Sequence, residues 1–585
     1  MSNYNRAEFD INMILQGRTV HSSASRAALF ALFAVTPLVS LAAPNPGEQD
    51  LIRDRQDRLL EEQRRRLEEL KELPGAQPAP QAPEAPVDTR CFKIDVIELK
   101  GADSLSGSER DALLKPFLGE CLGVAQLNDV LKAVTDHYID KGWVTTRAYL
   151  PQQDLSKGHL EVLVVEGKLE KLRSEEGSGL TPRELDMTFP GRESEVLNLR
   201  EIEQMVDQLN RLPSNQAKME LTPGQAVGGS DVLVKNTPQK PWRTSLARHN
   251  NGQKSTGEQQ WGAGFEWDSP LGLADQLSLR GGRDAVTDHQ RSSYSSMFSY
   301  NLPWGWWNFS YSYNDSEYRT LGQGAGIDFK FTGESQAHQL RVDRVIQRDA
   351  RGKTSVNAGI SHLRTRSFVE DSELAIGSQR ITETQFGIAH GRLIGSAFAN
   401  LELGVQQGSG ALDAMGDGHP AGNEPTARYR KYTATFSYQQ PFELWGESFS
   451  FNSLATGQRS EDRLYNSQRL SISGQSAVRG YKEQFLSGDS GGYWRNDLRW
   501  TRPVGWEWLQ PVLQQYGMSV SYDQGVIRHD ANSEGENGRV SSSAVELFTR
   551  GKYLAANVTF AHSLERPAAL SEREAPIYFR LELFF

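Results

Sequence analysis

The sequence predicts a membrane β-barrel of sixteen antiparallel strands, preceded by two small α+β modules and an N-terminal helix. Three observations predict it. From Trp242 onward the chain alternates apolar and polar residues with a period of two, as where Trp307, Phe309, Tyr311 and Tyr313 oppose Asn308, Ser310, Ser312 and Asn314. The polar face is too poor in large side chains to fill a sandwich core, so lipid outside and water inside explain it better than two packed sheets. Segments of this kind number sixteen, an even count as in single-chain bacterial barrels. They lie near 242–250, 257–267, 276–283, 293–301, 305–314, 337–347, 353–363, 381–390, 397–407, 428–440, 447–458, 491–502, 516–525, 541–549, 552–562 and 576–585. The last of them sets Ile577, Phe579, Leu581, Leu583 and the terminal Phe585 against Tyr578, Arg580 and Glu582.

Composition agrees and excludes other classes. A net charge of −10 over 585 residues is not the footprint of a nucleic-acid binder, so no nucleic-acid partner is expected. Hydrophobic residues make up only 37%, and no run of about eighteen apolar residues offers a membrane helix. Barrels escape that test because their strands alternate.

In chain order, Arg18 and Arg26 precede the apolar run 27–41, and Ser40-Leu41-Ala42 supplies small residues at a cleavage site. Residues 1–42 therefore read as a secretory signal peptide, of conventional length if Met13 is the start. Cys91 and Cys121 then meet an oxidising periplasm, where a pair is most simply a disulfide; two buried free thiols are the alternative. Two cysteines are too few for a metal site, and no metal or cofactor is expected. Residues 48–73 are almost wholly charged, with a narrow stripe of Leu51, Ile52, Leu59, Leu60, Leu67, Leu70 and Leu73 at helical spacing and Glu61–Arg65 and Glu62–Arg66 at i,i+4. Alone, this segment reads more readily as a solvated helix or short coiled coil. Pro74, Pro78, Pro80, Pro83 and Pro86 make residues 74–90 an extended linker. Residues 91–168 follow the order β-α-α-β-β, and residues 169–240 repeat it more weakly, with a helix over 199–212 and strands over 217–221 and 231–234. The barrel occupies 241–585. Its longer polar loops are expected at 315–336, 408–427 and 459–490.

Within the last of these loops, residues 471–498 read SISGQSAVRGYKEQFLSGDSGGYWRNDL. The Val478-Arg479-Gly480-Tyr481 turn, joined to Leu-Ser-Gly-Asp and Trp-Arg-Asn, resembles the sixth-loop motif of the two-partner secretion transporters. These are the outer-membrane exporters of haemolysins, filamentous adhesins and contact-dependent toxins, and the wording is most similar to the contact-dependent inhibition exporters among them. The modules resemble polypeptide-transport-associated (POTRA) domains, the first carrying Tyr149-Leu150-Pro151-Gln152-Gln153-Asp154-Leu155 and Val165-Glu166-Gly167.

The resemblance implies that the N-terminal helix lies in the pore as a plug and that loop 6 (459–490) folds inward. It implies that Arg479 pairs with an aspartate of a Phe-x-Asp-x-Gly motif on strand 13, which here is Ser521-Tyr522-Asp523-Gln524-Gly525. Asp497, beside Arg495 on strand 12, is a rival partner. Arginine cannot lose its charge and carries five donors in a planar fork, so in a pore it needs an acid. Gly480 is expected to permit a tight turn and Tyr481 to pack on the lumen wall. The partners implied are a large secreted exoprotein that binds the POTRA domains, the barrel assembly machinery through the Phe585 signal, and the surrounding lipid and lipopolysaccharide, the transporter itself being a monomer. An assembly factor of the same superfamily is the alternative. A barrel enzyme is not favoured, since the eleven histidines are scattered and no His-Glu-x-x-His helix occurs. With no phosphate loop either, export is expected to run without nucleotide hydrolysis.

Overall fold

A computed structural model describes residues 46–71, 73, 91–287, 290–324, 327–416, 425–510, 512–528, 537–568 and 570–585. The expected signal peptide and the Pro-rich linker lie outside the described residues. Helix α1 spans Pro46–Lys71, and its 26 residues extend about 39 Å at 1.5 Å each.

The first POTRA domain has a three-stranded sheet with His159–Val165 at its centre, parallel to Val96–Lys100 and antiparallel to Arg147–Tyr149. Helices α2 (Gly107–Leu114) and α3 (Val124–Asp140) cover one face and bury Val130, Val134 and Tyr138 against Leu160, Val162 and Val164. A capping box opens α2, with Ser106 and Glu109 satisfying each other's backbone donors. The Lys141 ammonium and Ser106 hold the Glu109 carboxyl down at about 2, so the box stays ionised at any physiological pH. Cys91 and Cys121 form the expected disulfide and tie Phe92–Lys93 to Cys121–Leu122. Closing a loop across 30 positions stabilises such a domain by about 3–4 kcal/mol on the chain-entropy model.

The second POTRA domain repeats the plan with strands Lys168–Ser174, Lys218–Pro223 and Gly229–Lys235, the last lying between the other two. Its helices are α4 (Pro182–Thr188) and α5 (Leu199–Asn210). Sequence pattern alone misses α4, which has barely two turns. Its start is nonetheless written out, since Thr181 and Glu184 form a capping box around Pro182 at the first helical position.

Sixteen long strands close the barrel. Strands 1 to 8 are Trp242–His249, Gln260–Asp268, Gln276–Asp284, Ser292–Trp304, Trp307–Gly324, Ile327–Arg348, Gly352–Val369 and Gln379–Ile394. Strands 9 to 16 are Ala397–Ser409, Arg430–Leu444, Glu447–Ser460, Ser490–Pro503, Gln515–Arg528, Gly538–Arg550, Leu554–Glu565 and Ile577–Phe584. Strand 16 meets strand 1 over the short register Arg580↔His249 to Phe584↔Ser245. Trp242, Trp267, Trp304 and Trp445 stand exposed at the periplasmic ends, as an aromatic girdle does.

One loop expectation is corrected. Residues 315–336 are not a loop: strands 5 and 6 stay paired from Asp315↔Gln336 out to Gly324↔Ile327. Beyond the bilayer both faces of a hairpin meet water, so its strands need no apolar alternation and the pattern that reveals membrane strands is silent there.

A loop and a helix fill the lumen

Loop 6 leaves strand 11, enters the pore and returns to strand 12. Its base is clasped by Arg469 Nε, 3.1 Å from Asp489 Oδ1, which also accepts the Leu464 amide at 3.0 Å. That Asp489 belongs to the Leu-Ser-Gly-Asp stretch. Further in, Ile472, Ala477, Val478, Tyr481 and Leu486 form an apolar cluster with Tyr493, Ile527 and Val540 of the wall, and Leu60 of α1 packs against it.

At the tip, Arg479 meets both candidate acids. Nε and Nη2 donate to the two oxygens of Asp523 at 2.8 and 2.7 Å, a bidentate fork, while Nη1 reaches Asp497 Oδ1 at 2.6 Å. Ser521, which stands where an aromatic was expected, accepts from Nη1 at 2.7 Å and donates to Asp497 at 2.6 Å. A small hydroxyl therefore bridges Arg479 and Asp497. The side chain of Asp523 is fully buried and that of Asp497 is 25% exposed, which makes Asp523 the principal partner. The Arg479 amide adds a bond to Asp523 at 3.2 Å, and Tyr578 of strand 16 donates to the Arg479 carbonyl at 3.0 Å. Arg495 instead donates to the Gln475 carbonyl at 3.1 Å.

Gly480 is needed for a different reason from the one expected. Its φ is not in the left-handed region; rather, a Cβ there would lie 2.5 Å from Ser542 Cβ and 2.9 Å from Ser563 Cα. Gly525 mirrors it from the wall, where a Cβ would fall 2.9 Å from Ile472 Cβ and 3.2 Å from Val478 Cγ2. Tyr481 is buried against the wall, its hydroxyl donating to the Glu565 carbonyl. Beyond the tip, the Glu574 carboxylate accepts the amides of Lys482, Glu483 and Gln484 at 2.8, 3.0 and 2.8 Å, and Lys482 pairs with Glu258 at 2.5 Å.

Helix α1 occupies the rest of the pore. On the loop side, Arg55 and Gln56 donate to the carbonyls of Ser467 and Ser471 at 2.5 and 2.6 Å, and Asp57 pairs with Ser476. On the wall side, Glu61 meets Arg280 at 2.8 Å, Glu62 meets Arg341 at 3.1 Å, Gln63 bonds Asn400 and Ser437 at 3.0 Å each, and Glu69 meets Lys353 at 2.8 Å. Glu62–Arg66 forms as expected at 3.0 Å, whereas Glu61 turns to the wall and leaves Arg65 to Glu69. Apolar anchoring is slight: Leu67, Leu70 and Leu73 cluster near Phe398. A cavity of about 1220 Å³ runs beside the helix, lined by Arg58, Glu68, Arg211, Gln385 and others.

Below the barrel, α5 docks on the periplasmic turns. Arg348 lies between Glu203 at 3.2 Å and Asp207, and Gln204 and Gln208 each donate to the Gly305 carbonyl at 3.3 Å. Lys353, already bound to Glu69, is 3.6 Å from Asp207. Of these lumen and mouth residues, Arg280, Arg341, Arg348, Lys353, Glu258 and Glu574 escape sequence reasoning. Their signal is a long charged side chain on an otherwise small polar face, but which acid each one meets depends on barrel closure.

A closed barrel holding a polar helix and an inward loop, with tandem POTRA domains under its turns, defines the two-partner secretion class of outer-membrane transporter. Residues 228–549 match the haemolysin secretion/activation protein family ShlB/FhaC/HecB, residues 92–167 a ShlB-type POTRA domain and residues 168–223 a further POTRA domain. The chain belongs to that family. The outer membrane transporter CdiB of Dickeya dadantii is 31% identical over 558 residues, 95% of this chain and 98% of its own. The hemolysin transporter protein ShlB of Serratia marcescens is 31% identical over 453 residues, 77% of this chain and 79% of its own. Among solved structures, CdiB from Escherichia coli superposes with a TM-score of 0.87 at 32% identity, covering 93% of this chain and all (100%) of the other. The protein is accordingly an outer-membrane transporter with its POTRA domains in the periplasm, and the assembly-factor alternative is not favoured.

Proposed function

We propose that this protein moves one large exoprotein from the periplasm to the cell surface, the substrate docking unfolded on the POTRA domains and passing the pore once α1 has left it. What carries this reading is how α1 is held. Its wall contacts are ion pairs and amide bonds beside a cavity of about 1220 Å³, and partly exposed pairs of this kind contribute about 0–1 kcal/mol each. Water or a passing chain can replace them one at a time. The 17-residue Pro-rich segment at 74–90 reaches about 50 Å at 3.1 Å per residue, enough to keep the departed helix tethered. No nucleotide and no catalytic step enter; folding of the substrate outside supplies the drive.

In this reading Arg479, with Asp523 and Asp497, anchors loop 6, while Val478, Gly480, Tyr481 and Gly525 let it seat. Phe585 serves the barrel assembly machinery, the outer wall lies in lipid and lipopolysaccharide, and one chain makes one pore. The names of the relatives, CdiB and a hemolysin transporter, support a toxin-like exoprotein as cargo. The test is Arg479→Ala in cells that express the cognate exoprotein. Surface exoprotein should vanish while the heat-modifiable barrel remains in the outer membrane; undiminished secretion would refute the anchoring role.

A further inference from the structure

The outer face of strands 1–4 carries a feature that export does not explain. Three rows cross it in register. Deepest is Phe265–Leu279–Phe298, above it Ala263–Gly281–Ser296, and at the extracellular ends Trp261–Arg283–Tyr294, with Arg248 opposite Trp261. These residues point away from the lumen, since Arg280, of the other parity on strand 3, meets Glu61 of α1. The middle row is small, so the wall is notched there: a groove of about 400 Å³ is bordered by Phe265, Leu279, Phe298 and Tyr294. That volume lies within the range of small-molecule sites.

Two cations lie on the extracellular side of the groove, one on each side of Trp261. Arg248 stacks on Trp261 at 4.9 Å, and its Nη1 is buried with no hydrogen-bond partner. Arg283 is exposed and makes no ion pair among the described residues. The acids of this face, Glu317 and Asp315, stand beyond Tyr294 and Ser296 on strand 5, with Asp315 accepting from the Tyr313 hydroxyl at 3.4 Å. An unpaired donor with a second free guanidinium across Trp261 calls for an anion, and a guanidinium fork matches phosphate. The connection from strand 3 to strand 4 faces the cell exterior, so the groove opens to the outer leaflet.

We propose that strands 1–4 bind a phosphorylated, acylated saccharolipid of the outer leaflet, its phosphate on Arg248 and Arg283 and one acyl chain in the groove over Gly281. This site needs the barrel's outer-membrane location but not its export activity, so loss of lipid binding and loss of secretion can be told apart.

The test is native mass spectrometry of the full chain in dodecylmaltoside, titrated with bis-phosphorylated lipid A, with lipid A stripped of phosphate, and with phosphatidylglycerol. Bis-phosphorylated lipid A should bind about tenfold or more tighter than either comparator, the difference expected for charge-assisted bonds to phosphate. R248Q/R283Q should erase that preference. Gly281→Leu has room at Cβ, whose nearest neighbour is Ser295 O at 3.9 Å, and should weaken all three lipids together by filling the groove. Heat-modifiable migration confirms that each variant is folded. Equal binding of the three lipids, or an R248Q/R283Q variant that keeps the preference, would overturn the site.

Discussion

Helix α1 and loop 6 share one lumen but are held in opposite ways. The helix rests on partly exposed polar contacts spread along its length: Glu62 shares Arg341 with Asp343 and Glu402, Glu69 meets Lys353, and the two helix acids keep 27% and 31% of their side-chain surface. The loop rests on one dense network around a fully buried Asp523, backed by an apolar cluster and two glycine niches. Contacts that water already reaches can be undone one group at a time, whereas a fully buried network fails as a unit, because each broken bond leaves an unpaired charge. In the proposed export cycle, the difference separates a part that leaves from a part that stays.

The contrast can be broken from either side. The largest effect is expected from Asp523→Ala, which removes both forked bonds and leaves Arg479 buried beside a single acid. About 3–5 kcal/mol of loop anchoring should be lost, and external trypsin should then cut intact cells after Arg479 or Lys482, sites that the parent protects. Gly480→Val comes next: the wedge against Ser542 and Ser563 should lift the tip and give the same cleavage with every ion pair still available. If it stays protected, close approach is not what seats the loop.

Weakening the helix should sharpen the comparison. E62Q/E69Q removes two wall pairs worth about 0–1 kcal/mol each. In planar bilayers it should raise the open fraction about two- to tenfold while loop 6 remains resistant to trypsin. An unchanged conductance would mean that the helix is held elsewhere. The smallest effect is expected from Asp497→Asn, since this acid keeps a quarter of its surface and the amide can still accept from Arg479. Secretion should fall only slightly, and a loss equal to that of Asp523→Ala would contradict the ranking of the two acids.

Much of this division is legible in the sequence, and the rest is not for definite reasons. Period two reveals the membrane strands because lipid enforces it, and it falls silent over 315–336, where water lies on both sides. Tyr522 and Asp523 take opposite faces by the same rule, with Tyr522 46% exposed and Asp523 at 0%. Motif resemblance brings Arg479 to an acid but does not foresee that Arg479 holds both acids at once, with Ser521 bridging it to Asp497. For α1, charge spacing predicts Glu61–Arg65, yet Arg280 on the wall competes and wins. Which wall residue comes opposite depends on the shear of the closed cylinder, and no local pattern encodes that. The hydroxyl of Ser521 and the absent side chain of Gly525 carry no signal until two distant segments are brought together.

Loop 6 touches Asp497, Asp523, Ser542, Ser563 and Tyr578, so it lines the arc of strands 12–16, while α1 leans on Arg280, Arg341, Lys353, Asn400 and Ser437 across strands 3–10. The bore is therefore lopsided: loop 6 fills one flank, and in the proposed export cycle departure of the helix frees only the other. On that reading a polypeptide in transit follows the freed flank, past guanidinium, ammonium, amide and carboxylate groups with only scattered apolar side chains among them.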